Sequence, residues 1–159
     1  MTESVESILQ KYAAGDRDFT EAELNDAKFK DVDLANINLE AASLDGAFFL
    51  GTNLQKAIFK DANLADSNFR RADLTQANLS AADLTGADLE GSNLAGADLT
   101  EANLRSASLR NTNLEEANLE NANLKGAALH NANLKGAKLA NTQLEGAYLK
   151  GTLLEQQRP

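Results

Sequence analysis

The sequence predicts an all-β solenoid, a thin stacked column whose chain turns once every five residues. Three observations carry this. Every fifth residue from Leu24 to Leu154 is Leu or Phe, through 27 consecutive pentapeptides. Two residues before each of these centres stands a small or β-branched residue, as at Ala22, Val32, Thr52 and Ala87. Nine of the ten glycines fall two residues after a centre: Gly46, Gly51, Gly86, Gly91, Gly96, Gly126, Gly136, Gly146 and Gly151. A fixed internal period outranks any local propensity, because each repeat is one unit of a stacked fold.

The chain divides into three parts in order. Residues 1–18 are expected to form an N-terminal capping helix and lead-in, residues 19–154 the repeat column, and residues 155–159 a short tail. In the first part, Val5, Ile8, Leu9 and Tyr12 recur at helical spacing within Thr2–Ala14, and Gly15 is a natural stop. Such a stripe suits a cap over the first coil, since the end of a solenoid exposes apolar side chains and unpaired backbone groups. Asp18-Phe19 leads into the column, although Arg17 stands where an inward small residue is expected.

In the column, a period of five fits neither a helix, whose apolar stripe would be lost at ~100° per residue, nor an uninterrupted strand, whose side chains alternate. A centre and the residue two before it point the same way, as in a short strand, but successive centres, five apart, do so only if the chain turns once per repeat. The residue before the centre is Asn or Asp in 16 of the 27 repeats. Gly, Asn and Asp gather where a backbone turns and positive φ is required, which puts the corner near the second residue after the centre.

In the tail, only Glu155-Gln156-Gln157-Arg158-Pro159 follows Leu154, with no counterpart of the first helix. The last coil is therefore expected to be uncovered and to support end-to-end self-association.

Composition narrows the function. The chain has 159 residues, the size of one domain, with no Cys, no Trp and a net charge of −9. The absence of cysteine excludes disulfides and thiolate metal sites. The N-terminus is acidic and lacks a signal peptide's basic and apolar segments, and no run approaches the ~20 apolar residues of a membrane span. These features predict a soluble cytoplasmic protein with no membrane association. The negative charge argues against direct nucleic-acid binding, which needs basic surface.

Repeats such as Ala77-Asn78-Leu79-Ser80-Ala81 and Ala87-Asp88-Leu89-Glu90-Gly91 resemble the pentapeptide repeat proteins, and the likeness runs from Ala22 to about Leu154. The uninterrupted array and the entry Tyr12–Phe19 are similar to the cyanobacterial branch. The resemblance implies a right-handed quadrilateral β-helix with four pentapeptides per 20-residue coil. Nearly seven coils at ~4.8 Å would make a rod roughly 30 Å long. It also implies an alternative role. The quinolone-resistance members of the family act as DNA mimics at type II topoisomerases such as gyrase.

With four repeats per coil, residues twenty apart share a face. Phe29, Phe49 and Phe69 then stack inside one side, with Phe59 opposite. The face through Leu89 sums to +3 and carries Arg70, Arg71 and Arg110, with the outward apolar pair Phe48 and Leu50. The opposite face, through Leu79, sums to −5 and carries Glu40, Asp61, Asp98, Glu101 and Glu120, with Ile58 as a lone outward apolar residue. The other two faces sum to −4 and −3. The first face is the expected contact surface for an unidentified protein partner, the second the surface a DNA mimic would use.

Nothing points to catalysis. The single histidine, His130, stands one residue after a centre, on the surface. The carboxylates are spread along a convex rod, and the sequence has no phosphate-loop, dinucleotide, zinc-protease or EF-hand motif. No catalytic residue, metal or cofactor is expected. The sequence thus predicts a non-catalytic structural or protein-interaction module.

If the centres point inward, Leu94→Lys buries an unpaired charge and should abolish cooperative folding. Glu90→Ala should shift stability by no more than about 0.5 kcal/mol. Urea unfolding followed by circular dichroism reads both.

Overall fold

The computed structural model describes residues 4–157; Thr2 and Glu3 of the expected helix, and Arg158 and Pro159 of the tail, lie outside them. Helix α1 spans Val5–Ala13. Ser4 caps it, its Oγ accepting the Ser7 N–H at 3.1 Å and so satisfying one of the free amides of the first turn. Its apolar stripe packs on the column: Ile8 is fully buried, and Val5, Leu9 and Tyr12 are half-buried against the core. The Tyr12 hydroxyl donates to the Ala35 carbonyl at 2.9 Å. Gly15, at φ 108°, turns the chain out of the helix. Arg17 is exposed rather than inward. Its guanidinium lies 3.8 Å from the Tyr12 ring centroid and donates to the Tyr12 carbonyl at 2.8 Å, so the exception to the inward pattern places no charge in the core.

From Asp18 onward the chain winds into stacked coils. Parallel bridges pair residues twenty apart, from Asp18 with Asn38 through to Ala128 with Tyr148. One residue per repeat, the one before the centre, bridges to the coils on either side. The short strands expected in each repeat are thus reduced to single bridging residues, because the turn uses the rest. Each centre N–H donates to the coil that follows and each preceding N–H to the coil before, as with Leu94 to Asn113 and Asn93 to Ala72. Each coil is therefore tied to two neighbours by its main chain.

The corner has one geometry throughout. In 26 of the 27 corners, all but the one from Phe29 to Val32, the N–H three residues after a centre returns to the centre's carbonyl, as with Ala97 to Leu94 at 3.0 Å. All 27 residues at the second position after a centre, from Glu21 to Gly151, have φ between 52° and 78°. Positive φ at the third of four turn residues alone is the mark of a type II turn. Eighteen of these residues are not glycine, and nine of the eighteen are Asn or Asp. A left-handed conformation costs roughly 1–2 kcal/mol for an ordinary residue. The corner amide's own hydrogen bond to the next coil, as from Ala81 to Thr100 at 2.9 Å, holds it there.

Corner residues also stack, which imposes a second pattern. Along three of the four corner lines, the first five coils alternate a longer side chain with Gly or Ala: Asp26, Gly46, Asp66, Gly86, Ser106; Asp31, Gly51, Arg71, Gly91, Asn111; Glu21, Ala41, Asp61, Ala81, Glu101. The longer side chain folds over the small residue in the next coil. A Cβ at Gly46 would stand 2.6 Å from Asp26 Oδ1, and one at Gly86 would fall against Asp66 Oδ1.

Inside, 25 of the 27 centres are buried, Leu139 and Leu144 of the last coil being half-exposed. Phe29, Phe49 and Phe69 stack at centroid spacings of 5.3 and 4.8 Å, and Phe59 meets Phe49 and Phe69 edge-on at 5.8 Å. The column expected from the sequence is present, with favourable offset and edge geometries. Inward hydroxyls are all engaged: Ser67, Ser92 and Thr152 bond the centre carbonyl three residues back, Thr52, Thr112 and Thr142 the one in the preceding coil. The tail is not bare. A short 3-10 turn, Glu155–Gln157, follows Leu154, which is buried with Leu149, while the other half of the coil, at Leu139 and Leu144, stays open.

The corner stacking separates two substitutions with the same backbone cost. Gly86→Ala and Gly126→Ala both put a methyl at φ near 70°, but only the first clashes with a side chain, since the nearest neighbour at Gly126, Ser106 Oγ, lies at an ordinary contact distance of 3.7 Å. Gly86→Ala should cost more, by roughly 0.5–1.5 kcal/mol, the scale of one displaced rotamer. In an Asp66→Ala background the two should become equal by urea titration.

Candidate docking faces

The side chains that meet solvent are held in rows by the ladder, and local bonds fix many of them further. Each of the 16 Asn or Asp residues before a centre accepts, through Oδ1, the backbone N–H two residues on, at 3.0–3.3 Å. This is an Asx turn. It satisfies the one amide of the corner that faces away from the ladder, which explains why these residues are Asn or Asp. They bridge coils and receive the turn's amide; the positive φ lies three positions later.

Across coils, partners are twenty or eighteen residues apart. Asn93, Asn113 and Asn133 form an amide ladder at 3.0 Å per step. Lys60 reaches Glu40 at 3.2 Å, Lys125 reaches Glu145 at 3.7 Å and Lys135 reaches Glu115 at 3.3 Å. Arg70 bonds Asp88 at 3.2 Å and Glu90 at 2.8 Å. All are exposed or half-exposed, so each adds little stability; their effect is to fix the charge pattern. A search for opposite charges one coil apart would have found them in the sequence, once the coil length was known.

On the face through Leu89, Phe48, Leu50, Arg70 and Arg71 lie on consecutive coils, since Phe48 bridges to Asn68. Arg110 stands two coils beyond Arg70, with Glu90 between. Phe48 and Leu50 are half-buried among their neighbours, so the pair is a low ridge rather than a free apolar spot. Ile58, on the opposite face, is half-buried too. The large apolar side chains most exposed among the described residues are instead Tyr148, at 58%, and Leu153, at 53%. Arg70 is committed to two carboxylates, and the hydrogen bond to Asp88, then the charges of Asp88 and Glu90, hold its guanidinium above its usual value. Arg71 and Arg110 are exposed.

On the opposite face the five acidic residues fall into two groups. Glu40 and Asp61 share Lys60, at 3.2 and 3.5 Å. Asp98, Glu101 and Glu120 follow two coils later, and Asp98 accepts both the N–H and the hydroxyl of Thr100, at 3.0 and 2.6 Å. The negative line is thus interrupted near its middle.

His130, expected to be a solvated surface residue, is half-buried. Its ring stacks on Tyr148 at 5.8 Å and 17°, and its Nδ1 is buried without a hydrogen-bond partner. Among the described residues, no three His, Asp or Glu side chains converge as a metal site, and no helix is long and apolar enough to cross a membrane.

Comparison with known proteins agrees with this architecture. Residues 22–99 match the family model of the pentapeptide repeat region, and residues 82–121 and 117–156 match that of pentapeptide repeats (8 copies). A crystal structure of a pentapeptide repeat protein from the thylakoid lumen of Arabidopsis thaliana is similar, at 31% identity and a TM-score of 0.55. It covers 57% of this chain, which spans only 63% of the length of that one. Trypsin-treated QnrB1, a plasmid-mediated fluoroquinolone resistance protein, is 23% identical with a TM-score of 0.50, over 84% of this chain and 72% of its own. Rfr23 from the cyanobacterium Cyanothece 51142 is 22% identical with a TM-score of 0.47, over 93% and 98%. The search of curated protein sequences returned no match. The chain belongs to the pentapeptide repeat family, whose solved structures are right-handed quadrilateral β-helices.

One surface carboxylate has a clear pH signature. Partial burial raises the Asp73 pKa, but the hydroxyl and N–H of Thr75 and the Gln55 amide bond the ionised form and hold it below the usual aspartate value. A depressed carboxylate stabilises the fold above its unfolded pKa of ~3.9, and that contribution is lost as pH falls through the folded value. Asp73→Asn keeps an acceptor for Thr75 and removes the titration. The variant should lose less stability than the parent between about pH 5 and pH 2.5, measured as the shift in urea midpoint.

Proposed function

We propose that this pentapeptide repeat protein is a non-catalytic interaction module, a rigid rod in the cytoplasm that presents fixed rows of side chains to a protein partner through the face around Leu89. The observation that supports this best is the contrast in charge between faces. Three faces sum to −5, −4 and −3, and this one to +3. The ladder and the ion pairs one coil apart keep that contrast in place without a mobile loop. A preformed surface loses little conformational freedom on binding, which favours recognition by shape and charge. Family membership is consistent with the reading, since the family is generally a non-enzymatic repeat fold. The α1 helix serves as the N-terminal cap. The half-open last coil, at Leu139 and Leu144, is where two copies would meet end to end.

A second reading, a DNA mimic that inhibits a type II topoisomerase, is favoured by one detail. Asp98, Glu101 and Glu120 lie on neighbouring coils, and none of the ion pairs among the described residues includes them. The Lys60 bridge upstream weighs against a continuous anionic line.

Two measurements separate these readings. Supercoiling by bacterial gyrase with increasing protein should be unaffected if the module reading holds. Inhibition at micromolar protein that is relieved by salt, and lost in Asp98→Asn/Glu101→Gln/Glu120→Gln, would put the mimic first. Affinity capture from the native host should retain a partner that a Phe48→Ser/Leu50→Ser/Arg71→Glu variant releases.

A further inference from the structure

We propose that the C-terminal end of the basic face binds a short acidic segment of a partner protein, seated in the notch beside His130 and Tyr148 and clamped by Lys150 and Arg110. This rests on the interaction-module reading and gives its partner a chemistry.

The site is a notch of about 260 Å³ lined by His130, Tyr148, Leu149, Lys150 and Glu155. Tyr148 is its wall. The ring is 58% exposed yet stacked on His130, so a large amphipathic surface is already held in place. Rigid exposed tyrosines of this kind are favoured anchors at protein interfaces, having little side-chain freedom left to lose. The buried Nδ1 of His130, without a partner, marks a polar group that the free protein leaves unsatisfied.

The charge around the notch selects the ligand. On the last three coils of this face the outward residues are Ser108, Arg110 and Asn111, then Ala128, His130 and Asn131, then Tyr148, Lys150 and Gly151. No carboxylate stands among them, in a chain with 24 acidic and 15 basic residues. Glu155 borders the notch, but its Oε2 already accepts the Gly151 N–H at 2.8 Å. Arg110 and Lys150 are exposed, and neither enters any of the ion pairs that engage Lys30, Lys60, Arg70, Lys125 and Lys135. Arg110 and Lys150 are two coils apart, ~10 Å at the usual spacing of stacked strands. Two carboxylates separated by two or three residues of extended chain span that distance. His130 stands between Arg110 and Lys150 in their row, and in the row alongside, Ser108 and Ala128, which lead to Tyr148, are small and leave a floor on which the segment can lie.

Two other polyanions share this chemistry less well. Duplex DNA would face a chain of net charge −9 with only two cations, Arg110 and Lys150, at the site. A second copy could offer one of its acidic faces, but such a contact joins unlike surfaces and would build a ring or an open filament, seen as concentration-dependent assembly.

His130 is the only histidine, so its ring protons give a single NMR reporter inside the notch. The probe is a ten-residue glutamate-rich peptide with one central Phe, blocked at both ends, titrated into the full chain at physiological salt against its Glu→Gln counterpart. The expected result is a saturable shift of the His130 resonance with the glutamate peptide only. Lys150→Glu/Arg110→Glu should weaken it by at least about tenfold, with circular dichroism and thermal midpoint unchanged. Tyr148→Ala should weaken it too, a loss that charge alone would not produce. The proposal is overturned by no saturable shift, by an equal shift with the glutamine peptide, by full binding to the charge-reversed variant, by equal competition from duplex DNA, or by a shift on raising protein concentration alone. Host capture with the same variant keeps the two readings apart. A partner retained by both proteins overturns the notch and leaves the module reading standing. Peptide binding without any captured partner leaves the notch standing and counts against the module reading.

Discussion

Main-chain hydrogen bonding between adjacent coils is the constraint on which everything else in this protein depends. No residue outside α1 belongs to an element that could stand by itself; each repeat contributes one bridging residue and one turn. The amides of Leu94 and Gly96 reach forward to Asn113 and Glu115, and that of Asn93 reaches back to Ala72. A coil with only one neighbour loses half of these bonds. The two ends are therefore where the fold needs help, and they receive unequal amounts. At one, Ile8 is completely buried and Tyr12 donates to a carbonyl of the first coil; at the other, a single 3-10 turn covers half of the last coil.

The same ladder explains why a backbone with so many left-handed residues is tolerated. Taken singly, residues such as Lys56, Arg71 and Gln76 disfavour φ near 57°. Here the corner's N–H donates to the next coil and the N–H that follows it closes the turn, so a relaxed φ at one corner would break bonds both within its coil and to the next. The strain is local and its compensation is collective. In consequence the side chain at the corner is free to vary, provided the residue stacked on it leaves room.

Much of this was legible in the sequence. The centres, the inward small residues, the aromatic column at Phe29, Phe49 and Phe69, the corner position and the first helix all follow from periodicity, since burial and turn geometry repeat with the period. What could not be read follows from contacts between coils at the surface. The half-burial of Phe48 and Leu50, the bridging of Arg70 by Asp88 and Glu90, and the stacking of Tyr148 on His130 each depend on the length of a neighbour eighteen or twenty residues away. A sum of charges per face takes those side chains as independent and does not show where along the face the charge is paired. In the structure its charge is neutralised around Arg70 and free near Arg110 and Lys150. Arg17 was misleading for a related reason: an inward position matters only when a coil precedes it, and here the helix does.

The alternation of long and small residues along the corners bears on how such a chain can change in length. Copying or losing one coil would set like residues against each other, as if Asp26 were to meet Asp66 directly, carboxylate over carboxylate. Copying two coils preserves the order. The unit that can be duplicated without repair is therefore forty residues, twice the geometric repeat. Towards the C-terminus the alternation lapses, with Asn121 above Asn141 and Gly126 above Gly146, and there single-coil gains and losses meet no such obstacle. If this array lengthened by tandem duplication, its later coils are where odd steps were permitted.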